Sequence, residues 1–254
     1  MPAVKPLMMK ILMLSDVYFP RVNGVSTSIE SFRGALERLG HEVHLICPRY
    51  MDHANEDPRL WRIDSRGVLG DPEDRMMRYQ AIMALAPSLH AIEFDLIHIH
   101  TPFVAHYAGV ALSKRLGVPV VGTYHTLFEE YLHHYVPWLP RRSLRFAARR
   151  FSVHQCHQLS AVVAPSSAMT TALSVYGVRS PIATIATGLS LTHFVAQTAG
   201  GEFRERHGLP TQGRLLLFVG RAAYEKNIGF LIDMLPKVRH QHPETHLVIV
   251  GEGP

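Results

Sequence analysis

A chain of 254 residues, 47% of them hydrophobic, carries enough apolar mass for a real core, which excludes a disordered or collagen-like polypeptide. No apolar run approaches the roughly 18 residues of a membrane-spanning helix, and the N-terminal run at 7–14 is broken by Lys10 and followed by no signal-peptide cleavage site. The formal charge of +5 is uneven: residues 131–201 hold six arginines and no lysine, aspartate or glutamate, so one segment favours an anionic surface as partner.

Short runs rich in Val, Ile and Leu predict strands at 9–14, 42–47, 60–63, 96–99, 119–123, 161–164 and 182–185. They lack polar alternation, as strands buried on both faces do. Amphipathic stretches predict helices at 26–39, 104–116 and 167–176, stopped by Gly40, Gly117 and Gly177. Strand, helix and glycine stop in repetition predict an α/β fold, a doubly wound parallel sheet with helices on both faces. The small, polar, turn-rich stretch 196–213 reads as a linker between a first domain, 1–195, and a second segment, 214–254. In the latter, a strand at 215–219, a helix at 227–240 and a strand at 246–250 form one β-α-β unit. So short a segment falls below the size that folds alone, so it reads as the cut-off start of a second doubly wound domain. Cys47 and Cys156 lie far apart, imply no disulfide framework and fit a reducing cytoplasm.

In doubly wound folds, ligands bind at the carboxyl ends of strands. The loop after the first strand runs from Ser15-Asp16 to Asn23-Gly24-Val25 and opens a helix. Glycine admits close approach to the backbone and a helix N-terminus favours an anion, although an ordinary helix-entry loop has the same composition. No G-x-G-x-x-G follows this strand, which disfavours a dehydrogenase. Gly122-Thr123-Tyr124-His125-Thr126 closes the strand at 119–123. His125 there is placed either to hydrogen-bond a sugar hydroxyl or to serve as a structural histidine. In Gly220-Arg221 to Lys226-Asn227, two cations flank a strand-to-helix junction, a pattern suited to a diphosphate.

Around Arg141–Arg150, a helical projection puts Arg141, Arg142, Arg145 and Arg149 on one arc and Leu144, Ala147, Ala148 and Phe151 on another. Tyr131, Tyr135 and Trp138 lie just upstream. A basic amphipathic helix with aromatics suits an anionic lipid surface, and a peripheral helix packed on the sheet shows the same stripe. No base-reading module accompanies the patch, so nucleic acid is not expected as a partner. His98 and His100, His133 and His134, and His154 with Cys156 and His157 lack a recognisable metal spacing, so no metal is expected.

Together these pieces resemble family 4 of the retaining nucleotide-sugar glycosyltransferases, which have the two-domain GT-B fold. The resemblance covers nearly the whole chain. It rests on Ser15-Asp16 through Pro20, Asn23-Gly24-Val25, Asp95 to Pro102 with His98 and His100, Gly122 to Thr126, Thr187-Gly188 with Phe194, and Gly220-Arg221 with Lys226-Asn227. It implies a Rossmann-like acceptor domain followed by the start of a nucleotide-sugar-binding domain. His125 would contact the transferred sugar. Gly24, Arg221 and Lys226 would face the donor diphosphate without a metal, and Asp16, Asn23 and Tyr124 are acceptor or loop candidates. The nucleotide sugar would be a co-substrate, transferred with retention.

Thr-Tyr-His-Thr followed by Glu129, Glu130, Tyr131 and His134 resembles the branch that glycosylates diacylglycerol or phosphatidylinositol. That implies a lipid acceptor and a peripheral place on the inner, cytoplasmic membrane face. Two departures stand out. Thr187-Gly188-Leu189-Ser190 replaces the family's Asn-Gly-Val-Asp, and the family's second domain, with its donor-binding Glu-rich motif, continues past residue 254. The chain alone is therefore expected to catalyse weakly or not at all. The alternatives are a non-catalytic lipid- or glycan-binding module and a transferase acting on a soluble acceptor.

Overall fold

The computed structural model describes residues 8–50, 57–68, 71–127, 139–188 and 200–253. The chain forms two compact units, Met1–Ser190 and Leu191–Pro254. The first is built from β1 (Lys10–Leu14), α1 (Gly24–Arg38), β2 (Glu42–Pro48), β3 (Leu60–Ile63), β4 (Ser65–Val68), β5 (Asp71–Met77), α2 (Tyr79–Ala84), α3 (Ala86–Ile92), β6 (Leu96–Ile99), α4 (Val104–Leu116), β7 (Val120–Thr123), α5 (Arg141–Cys156), β8 (Ala161–Ala164), α6 (Ser167–Tyr176) and β9 (Ile182–Thr184). Seven strands pair in the order β3-β2-β1-β6-β7-β8-β9, and every pairing in that sheet is parallel. The winding reverses between β1 and β6, which makes their carboxyl ends the switch point of the sheet.

The strand sequences explain the layers. Ile11 and Met13 of β1 pack with Ile29, Val43, Leu45 and partly buried Phe32 and Leu36 on one face. Leu12 and Leu14 pack with Ile97, Ala105, Ala108 and Leu112 on the other. Both faces of β1 are thus dry, so every second residue has no reason to be polar. Each fully buried Leu or Met here contributes about 1.5–3 kcal/mol. Gly109 sets the height of α4 above the sheet: a Cβ at that position would lie 2.7 Å from Ile99 Cδ1.

The runs of apolar residues locate the sheet strands to within one or two residues, but they give no sign of the antiparallel β4–β5 hairpin or of α2 and α3. The hairpin strands read Ser-Arg-Gly-Val and Asp-Pro-Glu-Asp-Arg-Met-Met, too polar to register as buried runs. In the helical stretch after it, Pro87 splits one period into two short helices. It sits in the first turn of α3, where a missing N–H costs no helical bond.

The second unit contains α7 (Gly200–Arg206), β10 (Arg214–Val219), a 3-10 turn at Tyr224–Lys226, α8 (Ile228–Gln241) and β11 (Thr245–Val250). β10 and β11 pair in parallel, with Leu217, Val219 and Val250 exposed, because two strands and their crossover helix cannot cover both sheet faces. The terminal Gly-Glu-Gly has a packing reason. A Cβ on Gly251 would collide with the carbonyl oxygen of Gly220, and one on Gly253 with that of Ala222.

Candidate active site

Register builds the site. Leu14 of β1 lies opposite Ile99 of β6, and Ile99 opposite Gly122 of β7. The residues that follow these strands therefore meet at the switch point.

Asp16 is buried there. Its carboxylate accepts from the Thr101 hydroxyl at 2.8 Å and from the Ala105 amide at 3.1 Å, while its own amide donates to Thr101 Oγ1 at 2.7 Å. Phe103, at the N-cap position of α4, supplies no side-chain cap, so Asp16 caps that helix from a different strand. Burial pushes the Asp16 carboxyl up to about 6, against the pull of the Thr101 and backbone hydrogen bonds. Asn23 is likewise a cap: its Oδ1 accepts from Val25 N–H at 3.0 Å and Ser26 N–H at 2.9 Å, and Ser26 Oγ accepts from Asn23 N–H. Helix α1 therefore begins two residues before the periodicity suggests, at exposed Gly24. A Cβ on Gly24 would meet nothing within 4 Å, and the first turn carries no acidic side chain.

His98, His100 and His125 form a row of imidazoles. The His98 and His100 ring centroids are 4.1 Å apart, and His125 stacks on His100 at 5.5 Å. His98 Nε2 bonds to Thr123 Oγ1 at 2.8 Å, and His100 Nδ1 to His125 Nε2 at 3.2 Å. Burial lowers all three, His98 to about 3, His125 to about 4 and His100 well below the ordinary histidine value, so the rings are neutral at pH 7. Among the described residues no cluster of His, Cys, Asp and Glu is arranged to hold a metal ion.

His125 lines a cavity of about 300 Å³ whose walls are mostly apolar, with Val25, Ile99, Phe103, Leu159 and Val162 around His100, Thr101 and Asp16. Gly122 lets Leu159 close over the strand: a Cβ there would sit 2.7 Å from Leu159 Cδ1. Tyr124 also lines the cavity, but its hydroxyl is bound to Ser152 Oγ at 2.6 Å. Gln155 Nε2 donates to the Pro102 carbonyl at 2.6 Å. These two bonds fasten α5 to the cavity rim. His106, Gln155, Arg75 and Met76 line it as well and were not anticipated, and His100, read above only among the histidines without metal spacing and within the Asp95–Pro102 segment, lines it too. His98 and His100 straddle the end of β6, and that placement was the available signal that they belong to the cavity rather than to a metal; Arg75 and Met76 arrive on the hairpin, which left no such signal.

On α5 the buried stripe is Leu144, Ala148, Ser152, Gln155 and Cys156. Arg141, Arg142, Arg145 and Arg149 are exposed. The expected apolar arc is corrected at two positions: Ala147 and Phe151 face outward, because the helix turns its polar Ser152 and Gln155 inward to bond the rim. Phe146 is 65% exposed, with Arg150 over its ring, and Arg149 lies over Tyr176. His154 bonds Gln158, and His157 accepts from the Arg179 amide. Thr187, where the family has Asn, bonds Ser28 of α1 at 2.9 Å. Glu129, Glu130, Tyr131, His133, His134, Tyr135, Trp138, Leu189, Ser190 and Phe194 lie outside the described residues.

In the second unit, Arg221 follows β10 and Lys226 ends the 3-10 turn, both exposed. Asn227 enters α8 with φ 49°, a left-handed conformation that Asn tolerates. No helix among the described residues is long and apolar enough to cross a membrane.

Known proteins share this architecture. The alpha-monoglucosyldiacylglycerol synthase of Streptococcus pneumoniae is 30% identical over 253 residues, covering 97% of this chain and 56% of that protein. The enzyme of the same name from Acholeplasma laidlawii is 26% identical, covering 97% and 64%. The chain thus spans less than two thirds of the length of these curated relatives. The crystal structure of Anabaena HepE in complex with UDP-glucose superimposes with a TM-score of 0.67 at 18% identity, over 96% of this chain and 61% of that one, which shows an α/β fold of GT-B type. Residues 201–254 match the family described as Glycosyl transferases group 1. Residues 22–193, two thirds of the sequence and all of the cavity lining except Asp16 and Val17, match Glycosyltransferase Family 4, and the chain belongs to that family.

Proposed function

We propose that this chain is the acceptor domain and the first part of the donor domain of a retaining glycosyltransferase. It moves a sugar from a nucleotide-diphosphate donor to a membrane lipid of the diacylglycerol or phosphatidylinositol type. The observation that carries this reading is the position of His125: on the cavity wall at the carboxyl end of β7, one strand from the switch point. The kinship with two synthases named for monoglucosyldiacylglycerol supports a lipid acceptor, as do the mostly apolar cavity walls.

In this mechanism the acceptor hydroxyl attacks the anomeric carbon on the face the diphosphate leaves. The new C–O bond forms, the bond to the diphosphate breaks, and the hydroxyl proton goes to the departing phosphate oxygen. His125 contacts the transferred sugar. Arg221 and Lys226 stabilise the charge that grows on the diphosphate, Arg221 through a bidentate grip and Lys226 as a point charge, without a metal. Gly24 gives the diphosphate clearance at the N-terminus of α1. Asp16 and Asn23 hold the two helix starts that frame the crevice, and Tyr124 holds α5. The exposed arginines of α5, with Phe146 and Leu139 outward beside them, rest on an anionic membrane at its inner face.

The test is sugar transfer by the protein carrying this chain, with a panel of nucleotide-diphosphate sugars and vesicles holding diacylglycerol or phosphatidylinositol. A lipid glycoside with the anomeric configuration of the donor is the expected product. An inverted product, or transfer to a soluble glycan alone, would contradict the reading.

A further inference from the structure

His100 has two ring nitrogens and one partner. Nδ1 faces His125 Nε2 at 3.2 Å. Nε2 is buried with no hydrogen-bond partner among the described residues, and the whole residue is 1% exposed. Its ring is clamped by His98 at 4.1 Å and Phe32 at 6.3 Å between centroids. A neutral imidazole carries one N–H and one lone pair. Were the proton on Nε2, a donor would be buried unpaired, and buried orphan N–H groups are the rarer and costlier defect. With the proton on Nδ1, the donor is paired and only a lone pair goes unused.

We infer that His100 is a positioning residue: its Nδ1–H donates to His125 Nε2 and holds the His125 ring in one orientation and in the Nδ1–H tautomer. Because His125 Nε2 then accepts, the single proton of that neutral ring resides on Nδ1. This is the tautomer that free histidine disfavours. The burial that keeps all three imidazoles uncharged keeps the pattern intact at neutral pH. The tautomer decides what His125 can do. Nδ1–H offers a hydrogen-bond donor to a sugar oxygen, and Nε2, occupied by His100, is withdrawn from use as a base. His125 thereby acts on the transferred sugar as a fixed neutral donor, a role that rests on the proposed function, whereas the tautomer itself does not.

The experiment is a long-range proton–nitrogen correlation spectrum of the ¹⁵N-histidine-labelled chain near neutral pH. The native chain is expected to show His125 with a protonated Nδ1 and an unprotonated Nε2. His100→Phe, which keeps a flat ring and removes the donor, is expected to move the His125 population toward Nε2–H. His100→Asn, whose amide nitrogen reaches the place of Nδ1, is expected to restore it. His125 found as Nε2–H in the native chain overturns the inference, and so does an unchanged tautomer in folded His100→Phe. If His100→Phe does not fold, the native spectrum decides alone. The expected tautomer together with transfer that does not depend on His125 would strike the proposed function and leave the tautomer standing.

Discussion

The Ala105 amide donates to the Asp16 carboxylate at 3.1 Å, so a side chain from the end of β1 caps the helix that follows β6. With the two Asp16–Thr101 hydrogen bonds, this bond ties the ends of β1 and β6 together at the switch point, where Asp16 and Thr101 line the cavity. The cost is a buried carboxylate, whose pKa stands at about 6 instead of 3.8. A raised carboxyl contributes stability that is complete below about pH 3.8 and lost as pH rises through 6. Asp16→Asn removes that dependence. Between pH 5 and 7.5 the stability of the variant relative to the parent should improve by about 1 kcal/mol in urea unfolding. A difference independent of pH would show that Asp16 titrates normally.

The buried imidazoles push the other way. His98, at about 3, and His125, at about 4, are depressed below the ordinary 6.5 by burial. Their stabilising contribution is present above pH 6.5 and lost as pH falls toward those values. At pH 5 each costs about 2 kcal/mol, against about 1 kcal/mol returned by Asp16. Acid therefore wins: the urea midpoint should fall clearly from pH 7 to pH 5, and His125→Gln should recover part of the fall.

Two glycines separate packing from function. Gly251 has φ 146° and no room for a Cβ beside Gly220. Gly251→Ala should destabilise the second unit by more than about 1 kcal/mol and shift the amide resonances of Gly220, Arg221 and Ala222. Gly24 has open space, so Gly24→Ala should leave stability within about 0.5 kcal/mol of the parent while lowering transfer, because the methyl group occupies the clearance proposed for the diphosphate. Full transfer by Gly24→Ala would remove it from the donor site.

The arginines of α5 should act additively on a membrane. Arg141→Ala with Arg145→Ala removes two exposed charges, worth about 1 kcal/mol each, so flotation with anionic vesicles should weaken roughly 30-fold and native binding should fall with salt. Salt-independent binding equal to the parent would contradict the membrane reading.

Much of this was legible in the chain itself. β1, β2 and β6 to β8 are rich in Val, Ile and Leu without polar alternation because both their faces are covered, and His125 stood out by its place at a strand end. The caps were not legible: Asp16 and Asn23 read as ligand candidates, since short polar side chains before a helix serve anions and helix starts alike. Nor was the pairing of His100 with His125. It depends on Ile99 lying opposite Gly122, and inter-strand register leaves no mark on the sequence of either strand. On α5, the apolar arc could not reveal that Ser152 and Gln155 would turn inward, because their partners Tyr124 and Pro102 come from other segments.

The central claim is that the crevice around His125 is where the sugar is transferred. Its most direct measurement is turnover of His125→Ala in the protein carrying this chain, with nucleotide-diphosphate sugar and lipid vesicles, beside a check that the amide spectrum of the fold is retained. Loss of a placed hydrogen-bond donor predicts a fall of roughly 100-fold or more. Turnover near that of the parent in a folded variant would contradict the account.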